Sequence, residues 1–331
     1  MDLNNKTVII SRTDSIGDVM LTLPICAWLK EQSPDVNIIF IGKGYTKPIV
    51  EAYGLVGQFV DWNDYLNVPK MEKIQSFRKL KADVIVHVFP NKDIASLAKK
   101  ARIETRIGTS HKAHHLLTCS HRVNFTRRKS NLHEAQLNHE LLRPLGLKEI
   151  PSLDEIVKTT SHFKVDQVKL PNAFKDLKDF TILHPKSQGS AKEWPLEKYM
   201  ELASTLVEEG KQVVFTGTED EGKQFRERIP GNENVIDSTG KLSLEQLMAL
   251  IQNAKNLVAC STGPLHIAGY LGVNAVGLYS PKRPIHPGRW KALGENVRII
   301  VFDENCKPCA EEKDCNCVLE IEVERVLKSL N

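Results

Sequence analysis

Short hydrophobic runs alternate along the chain with longer segments whose apolar residues recur at helical spacing. Runs of the first kind occur at 7–10, 36–41, 84–88, 180–184, 212–216, 256–260 and 275–279. Helical spacing is clear at 94–101 and in the last residues, where Val323, Val326, Leu327 and Leu330 form an apolar stripe. Strands that alternate with helices form βαβ units and pair in parallel. The pattern therefore predicts an α/β protein built from two Rossmann-like domains.

Breaks in this pattern indicate where the two domains join. Prolines at 144, 151 and 171 and a glycine at 146 interrupt the alternation. We expect residues 146–172 to connect the domains, with room for a short strand inside the connection. Setting the boundary at residue 165 gives an N-terminal domain of residues 1–165 and a C-terminal domain of residues 166–331. A chain of 331 residues suits two domains of this size.

Composition narrows the class of protein. Hydrophobic residues make up 41% and charged residues 26%, which is typical of globular proteins. No apolar run approaches the roughly 18 residues that a membrane span needs, and the N-terminus lacks a signal-type segment. We therefore expect a cytoplasmic protein. The net charge of +4 is modest, but basic residues cluster at Lys99, Lys100, Arg102, Arg106, Lys112, Arg122, Arg127, Arg128 and Lys129. Such a cluster indicates an anionic partner or a solvated basic face.

The polar segment 11–18 is the first candidate for chemistry. It follows a hydrophobic run and precedes a helical pattern, so it forms the turn between a strand and a helix. In an open α/β sheet, ligands bind at the carboxyl ends of the strands. Asp18 could hold a sugar hydroxyl there and accept its proton. The alternative is an ordinary aspartate that caps the first helix.

Two segments of the second half have the composition of anion-binding loops. Residues 184–195 combine the end of a strand, small residues and Lys192 before the next helix. Residues 261–266 join a strand to a helix through two hydroxyl side chains and a glycine. Small residues let backbone N–H groups approach a phosphate, and a helix N-terminus favours negative charge. Two such loops in one domain predict a phosphate-containing ligand.

Cysteines fall into two groups. Three stand alone and are predicted to be buried thiols: Cys26, Cys119 and Cys260. Four others cluster near the C-terminus: Cys306, Cys309, Cys315 and Cys317. The C-x-C pair is a less usual zinc motif than C-x-x-C, and a cytosolic protein rarely keeps disulfides. We expect reduced thiols in a surface loop and no metal, with a metal held by these four cysteines as the alternative.

Three segments together resemble the signature segments of glycosyltransferase family 9, the lipopolysaccharide heptosyltransferases that use ADP-heptose. They are DSIGDVMLTLP at 14–24, KEWP at 192–195 and STGPLH at 261–266. The segment 306–309 also resembles many bacterial members, and the resemblance covers nearly the whole chain. It implies a GT-B architecture, in which two Rossmann-like domains with parallel sheets face each other across a cleft. The N-terminal domain would bind the acceptor and the C-terminal domain the nucleotide-sugar donor.

The resemblance also implies roles for individual residues. Asp18 matches the catalytic base, and Lys192 matches the lysine that neutralises the donor diphosphate. Thr262 and Gly263 match the phosphate loop, and Glu221 matches an acidic residue that binds the ribose. The full donor-binding set is Ser187, Lys192, Glu221, Ser261, Thr262, Gly263 and His266. The acceptor-binding set is Arg12, Asp14, Ser15 and Gly17. Ser261 departs from the family, which usually has aspartate before the Thr-Gly pair.

These inferences lead to one expected function and its alternatives. We expect an inverting glycosyltransferase that needs no metal or other cofactor, in keeping with the lack of a D-x-D triplet in the sequence. It would transfer heptose from ADP-heptose to a lipopolysaccharide-core or related anionic glycolipid, with peripheral contact to the inner membrane and no nucleic-acid partner. The alternative is a nucleotide-sugar-binding relative without turnover. A nicotinamide dehydrogenase is a weaker reading, because the G-x-G at 42–44 lacks a third glycine.

Overall fold

The computed structural model of this chain describes residues 1–127, 130–166, 168–311, 313 and 315–331. Two members of the predicted basic cluster, Arg128 and Lys129, lie outside these residues. The chain divides into two compact units, Met1–Lys164 and Val165–Asn331. This division falls beside the predicted boundary at residue 165.

The first unit contains a six-stranded parallel sheet in the order β3-β2-β1-β4-β5-β6. Its strands are β1 (Thr7–Ser11), β2 (Asn37–Gly42), β3 (Gln58–Asp61), β4 (Val84–His87), β5 (Thr105–Thr109) and β6 (His121–Val123). Its α-helices are α1 (Ile16–Met20), α2 (Pro24–Gln32), α3 (Lys47–Ala52), α4 (Lys70–Lys79), α5 (Lys92–Ala101), α6 (Ala113–Thr118), α7 (Glu134–Glu140) and α8 (Leu153–Lys158). Short 3₁₀ turns lie at Gly44–Thr46, Trp62–Tyr65, Arg143–Leu145 and Thr159–His162.

The second unit contains another six-stranded parallel sheet, in the order β12-β11-β10-β7-β8-β9. Its strands are β7 (Thr181–His184), β8 (Val213–Phe215), β9 (Val235–Asp237), β10 (Asn256–Cys260), β11 (Asn274–Tyr279) and β12 (Val297–Val301). Its α-helices are α9 (Leu196–Glu208), α10 (Glu219–Gly222), α11 (Leu244–Asn253), α12 (Gly263–Tyr270), α13 (Pro287–Trp290), α14 (Lys307–Ala310) and α15 (Val323–Leu327). Short 3₁₀ turns lie at Asn172–Phe174 and Arg226–Arg228.

The central strands of both sheets are buried on both faces. Val8, Ile9 and Ile10 of β1 are fully buried, and every residue of β10 is buried. A parallel sheet covered by helices on both faces requires such continuous hydrophobic strands. This explains why these runs are the clearest signal in the sequence, and the predicted α/β class with two parallel sheets is confirmed.

Each sheet has one point at which its strand order reverses. In both units the first and fourth strands are neighbours, with Ser11 of β1 opposite His87 of β4 and His184 of β7 opposite Ala259 of β10. Loops that leave such a pair at their carboxyl ends turn to opposite sides and leave a crevice between them. The fold therefore provides one natural ligand site in each unit.

Local sequence determines where helices α2 and α8 begin. Pro24 begins α2, which leaves α1 as a separate short helix; proline is tolerated there because the first helical N–H has no intrahelical acceptor. The connection 146–172, which had room for a short strand, contains α8 instead, and its described residues include no strand. Ser152 caps α8 in a reciprocal capping box, in which Ser152 N donates to Glu155 Oε2 at 2.8 Å.

Among the residues that the structure describes, none of the helices has both the length and the apolar character needed to cross a bilayer.

Candidate active site

The loop after β1 carries the predicted acceptor-side residues to the reversal point of the first sheet. Arg12 continues directly from β1, and its backbone N–H donates to Ile41 O at 3.0 Å. Ser15 is the N-cap residue of α1, and Asp18 lies in the first turn of that helix. Gly17 is buried in the same turn. Five predicted residues therefore share one loop and one helical turn: Arg12, Asp14, Ser15, Gly17 and Asp18.

Arg12 is a buried cation surrounded by carboxylates. Only 4% of the residue is exposed. Its Nε donates to Asp14 Oδ1 at 2.7 Å, its Nη2 donates to Asp18 Oδ1, and its Nη1 lies 3.6 Å from Glu134 Oε1. Burial opposes the charged form, but these three carboxylates outweigh it and raise the pKa of Arg12. The guanidinium thus fixes the positions of the carboxylates around it.

Asp18 is held at both carboxylate oxygens and still reaches the surface. Arg12 donates to one oxygen and Ser15 Oγ donates to the other. The helix behind it is fastened by Thr22 Oγ1, which donates to Asp18 O at 2.8 Å. The Asp18 side chain keeps 18% of its surface exposed. An oriented, accessible carboxylate is the geometry that a general base needs.

Asp14 titrates unusually because of its surroundings. Burial raises the pKa of Asp14 to about 6, against an ordinary value of 3.8. The ion pair with Arg12 opposes this rise, and the neighbouring charge of Asp18 adds to it.

A second charged pair supports this loop from a distant part of the sequence. Glu134, in the first turn of α7, is 1% exposed and accepts from Arg127 Nε at 2.9 Å. Arg127 also donates to Asn138 Oδ1 at 3.2 Å, and Asn138 Nδ2 donates to Leu21 O at 2.9 Å. Helix α7 is thereby tied to the turn that follows α1. Glu134 was not among the site residues predicted from the sequence.

Three residues of the basic cluster donate to backbone carbonyls of α6. Lys99 Nζ donates to Leu117 O at 2.7 Å, and Arg122 Nη1 donates to Leu116 O at 3.5 Å. Arg106 Nε donates to Thr118 O at 2.7 Å. The side chains of Leu116 and Leu117 are themselves exposed, at 58% and 75%. This surface therefore combines two exposed leucines with adjacent cations.

Three loops of the second unit leave neighbouring strands at the same edge of the sheet. Strand β7 lies between β10 and β8, with His184 opposite Ala259 and Leu183 opposite Phe215. Since all three strands are parallel, their carboxyl ends are adjacent. The structure thus brings together the loops that carry Ser187, Lys192, Glu221, Ser261, Thr262, Gly263 and His266.

The loop after β7 is organised by Glu193. Its Oε1 accepts from Ser187 N at 2.8 Å, and its Oε2 forms an ion pair with Lys186. Burial opposes ionisation of Glu193, but these hydrogen bonds outweigh it and lower the pKa of this carboxyl. Gly189 adopts a φ of +79°, and a Cβ there would meet open space. The backbone of this loop is therefore left open to an incoming group.

Lys192 lies at the end of this loop and contacts the C-terminal part of the unit. Its Nζ donates to Cys315 O. Two residues later, Trp194 is 1% exposed and its Nε1 donates to Ile321 O at 2.9 Å. The position of Lys192 thus depends on the segment around Cys315.

The loop after β10 ends in the N-terminus of α12. Thr262 is the N-cap residue and Gly263 the first helical residue, and the first helical hydrogen bond runs from His266 N to Thr262 O at 3.4 Å. The N–H groups of Gly263 and Leu265 precede that bond and lack an intrahelical acceptor. Within the described part of the chain, the buried Thr262 Oγ1 has no hydrogen-bond partner. Ser261 stands just before this cap and leaves it without an added negative charge.

Glu221 has a structural role beside a cavity. In a capping box at the start of α10, Glu221 Oε2 accepts from Thr218 N at 2.7 Å. Nearby, His184 Nδ1 lies 2.9 Å from Thr216 Oγ1, and burial lowers the pKa of His184. The adjoining cavity has a volume of about 500 Å³ and is lined by Lys186, Gln188, Gly189, Glu193, Thr218, Asp220, Glu221 and Gln224.

The cysteine predictions are confirmed in part. The isolated residues Cys26, Cys119 and Cys260 are buried free thiols, as expected. The expectation of surface thiols near the C-terminus is wrong, because Cys306, Cys309 and Cys317 are buried and Cys315 is half-buried. Their sulfur atoms face one another instead of solvent.

Two α/β units, each built on a six-stranded parallel sheet, are the architecture of the GT-B glycosyltransferases. A sequence model of glycosyltransferase family 9 (heptosyltransferase) matches residues 73–318. The chain belongs to this family, and the predicted membership is confirmed. It is a heptosyltransferase-like glycosyltransferase.

Named relatives agree with this assignment. The chain is 22% identical over 304 residues to lipooligosaccharide heptosyltransferase 2 of Haemophilus influenzae, spanning 86% of each. It is similar in structure to the glycosyl transferase family 9 protein from Veillonella parvula, with a TM-score of 0.78, 21% identity and 99% and 97% of the two chains covered. It is also similar to the E. coli heptosyltransferase WaaC with ADP, with a TM-score of 0.72, 19% identity and 97% and 98% covered.

Proposed function

We propose that this enzyme transfers heptose from ADP-heptose to an anionic sugar of the lipopolysaccharide core, with inversion and without a catalytic metal. One observation carries the proposal: the loop after β7 and the N-terminus of α12 meet at the reversal point of the second sheet. The buried Thr262 hydroxyl at this point has no hydrogen-bond partner among the described residues, so it is available to donate to a ligand. A solved relative with ADP supports the choice of nucleotide.

On the donor side, different groups at the carboxyl edge of the second sheet bind different parts of the nucleotide. The N–H groups of Gly263 and Leu265 and the hydroxyl of Thr262 hold the diphosphate, because a helix N-terminus favours negative charge. Lys192 adds a positive charge that increases in effect as the leaving diphosphate gains charge. Glu221 and the cavity beside it receive the ribose, whose diol suits a carboxylate.

On the acceptor side, Asp18 is the base. The acceptor oxygen attacks the anomeric carbon of the heptose as the bond from that carbon to the diphosphate breaks, and Asp18 takes the acceptor's proton. A single displacement of this kind inverts the anomeric centre. Arg12 holds Asp18 in place, and Asp14, Ser15 and Gly17 shape the loop that the acceptor contacts.

The surface around α6 suits an acceptor carried by a lipid. Leu116 and Leu117 are exposed, and their carbonyls bind Lys99 and Arg122. Leucines can enter the interface of a bilayer while adjacent cations attract anionic lipid head groups. We infer that the enzyme works in the cytoplasm with peripheral contact to the inner membrane surface.

The test is release of ADP from ADP-heptose in the presence of a heptose-accepting core glycolipid. Asp18→Asn keeps the shape of the side chain and removes the base. We expect kcat to fall roughly 100- to 10,000-fold, or about 3–5 kcal/mol of barrier, while ADP affinity stays near that of the wild type. Asp35→Asn, at an exposed position, is the matched control and should retain full turnover.

Near-normal turnover in Asp18→Asn would refute the role of Asp18. A wild-type protein that binds ADP-heptose but releases no ADP with any core acceptor would instead support a binding protein without turnover.

A further inference from the structure

Four cysteines near the C-terminus have no part in the proposed reaction. They are Cys306, Cys309, Cys315 and Cys317, and their sulfur atoms all lie within 4.8 Å of one another. The Sγ atoms of Cys306 and Cys315 are 3.7 Å apart, those of Cys309 and Cys317 are 3.9 Å apart, and those of Cys309 and Cys315 are 2.8 Å apart. None of the four forms a disulfide, and their sulfur atoms converge on one point.

This spacing is close to that of a tetrahedral metal centre. With a zinc–sulfur distance of about 2.3 Å, the ligand sulfurs of a tetrahedron lie about 3.8 Å apart. Two of the three distances agree with that value, and the pair Cys309–Cys315 would open by roughly 1 Å around an ion. Among the described residues, the ligand atoms gathered here are four sulfurs. Sulfur ligands favour zinc or iron over hard cations such as magnesium.

The backbone around these residues has the form of a metal-binding turn. Cys306 is the N-cap residue of α14 and Cys309 lies within it, so the C-x-x-C pair spans one tight turn. On the other side, Cys317 N lies 3.4 Å from Cys315 Sγ and donates to it. Ser280 Oγ lies 3.6 Å from Cys309 Sγ. Polar hydrogens near ligand sulfurs stabilise thiolates.

The composition of the segment explains why it needs a cross-link. Between residues 303 and 316 the sequence is mostly charged or polar, and its buried cluster consists of the cysteines alone. Four thiols contribute little apolar surface, so they cannot order such a segment by packing. A bound metal ion supplies that ordering energy directly.

We propose that these four cysteines form a structural site for one tetrahedral zinc or iron ion. The ion also positions Lys192, since the carbonyl of the ligand Cys315 accepts from Lys192 Nζ. This second part rests on the proposed function, in which Lys192 contacts the donor diphosphate. The first part does not, because it concerns only metal content.

The first experiment measures metal in the purified full-length protein by elemental analysis. We expect about one zinc or iron ion per chain in the wild type. The metal content should fall at least tenfold in both Cys309→Ser and Cys317→Ser. The variants Cys26→Ser and Cys119→Ser remove buried thiols outside the cluster and should keep the metal. Metal-free wild-type protein, or unchanged metal in both cluster variants, would overturn the site.

A second measurement on the wild type covers the case in which the cluster variants fold poorly. Exchange of the metal for Co²⁺ should give the thiolate charge-transfer and d–d bands of a tetrahedral sulfur site. A spectrum without thiolate bands overturns the proposal. So does alkylation of the unreduced, denatured protein that shows the four cysteines paired as disulfides.

The link to Lys192 is tested through ADP affinity. In a folded cluster variant without metal, the Kd for ADP should rise about tenfold, as expected for one charge-assisted hydrogen bond. A variant that loses its metal and binds ADP like the wild type would refute the positioning of Lys192 while leaving the metal site in place.

Discussion

Arg12 determines the geometry of the loop after β1. Only some of its partners could be predicted from the sequence. Its partners Asp14 and Asp18 are close in sequence, so the loop could be identified from a short segment. Its third partner, Glu134, lies more than a hundred residues away and is surrounded by an ordinary helix start. No local pattern marks such a residue, because its role arises only when α7 packs beside the loop.

Asp14 makes the stability of the protein depend on pH within a defined window. Its pKa is about 6 in the folded protein and 3.8 ordinarily, so the folded state binds this proton more tightly than the unfolded chain. The resulting stability is fully present below about pH 4 and is lost as pH rises through about 6. We expect the difference in unfolding free energy, wild type minus Asp14→Asn, to fall by about 1–3 kcal/mol between about pH 4 and pH 7.

Urea unfolding across this pH range measures that difference. Asp64→Asn, which changes an exposed carboxylate, should show a nearly constant difference from the wild type. A difference for Asp14→Asn that stays constant, or that grows as pH rises, would contradict the assigned pKa.

Among the secondary-structure elements, α6 carries the clearest functional prediction. Replacing both Leu116 and Leu117 by serine removes the apolar side chains that would enter a bilayer interface. We expect binding to vesicles that contain anionic lipid to weaken at least tenfold, since burial of one leucine contributes about 1.5–3 kcal/mol. Vesicle sedimentation measures this, at low and at raised salt.

Leu66→Ser is the control, because Leu66 is similarly exposed at 53% and lies elsewhere in the first unit. Either of two results would refute a membrane-binding role for α6. One is a wild-type protein that does not bind anionic vesicles, and the other is a double variant that binds them as well as the wild type.

The predictability of an element depended on how deeply it is buried. Strand β10 was predicted to the residue, since it is continuously hydrophobic and buried. Strands β6, β9 and β12 were missed, because they lie at the edges of their sheets and are only partly buried. Helix α8 was also missed, although Ser152 and Glu155 form a capping box that the sequence displays.

For the whole molecule, the repeated alternation was enough to predict two α/β units, but not which loops meet. The loops after β7 and β10 are more than seventy residues apart and become neighbours only through the reversed strand order. Hydrophobic patterning does not encode that order. Loop composition and the resemblance to family 9 both pointed to Lys192 and Thr262, whereas the roles of Lys186 and Glu193 emerged only from their mutual ion pair.

Donor binding by the whole protein gives a prediction for Lys192. ADP should raise the melting temperature of the wild type, and Lys192→Ala should weaken ADP binding by about 10- to 100-fold. Thermal shift titrations measure both. Lys211→Ala is the control, because Lys211 precedes β8 at the opposite end of that strand from the loop carrying Glu221. An equal ADP response in Lys192→Ala and the wild type would place the lysine outside the donor site.

The lone hydroxyl of Thr262, unpartnered among the described residues, has a consequence for engineering this protein. A buried hydroxyl without an acceptor costs about 1–3 kcal/mol, and an apolar residue of the same shape would remove that cost. A directed-evolution campaign scored only on heat resistance would therefore select against this side chain. The selected variants would resist heating better and bind the sugar nucleotide less well.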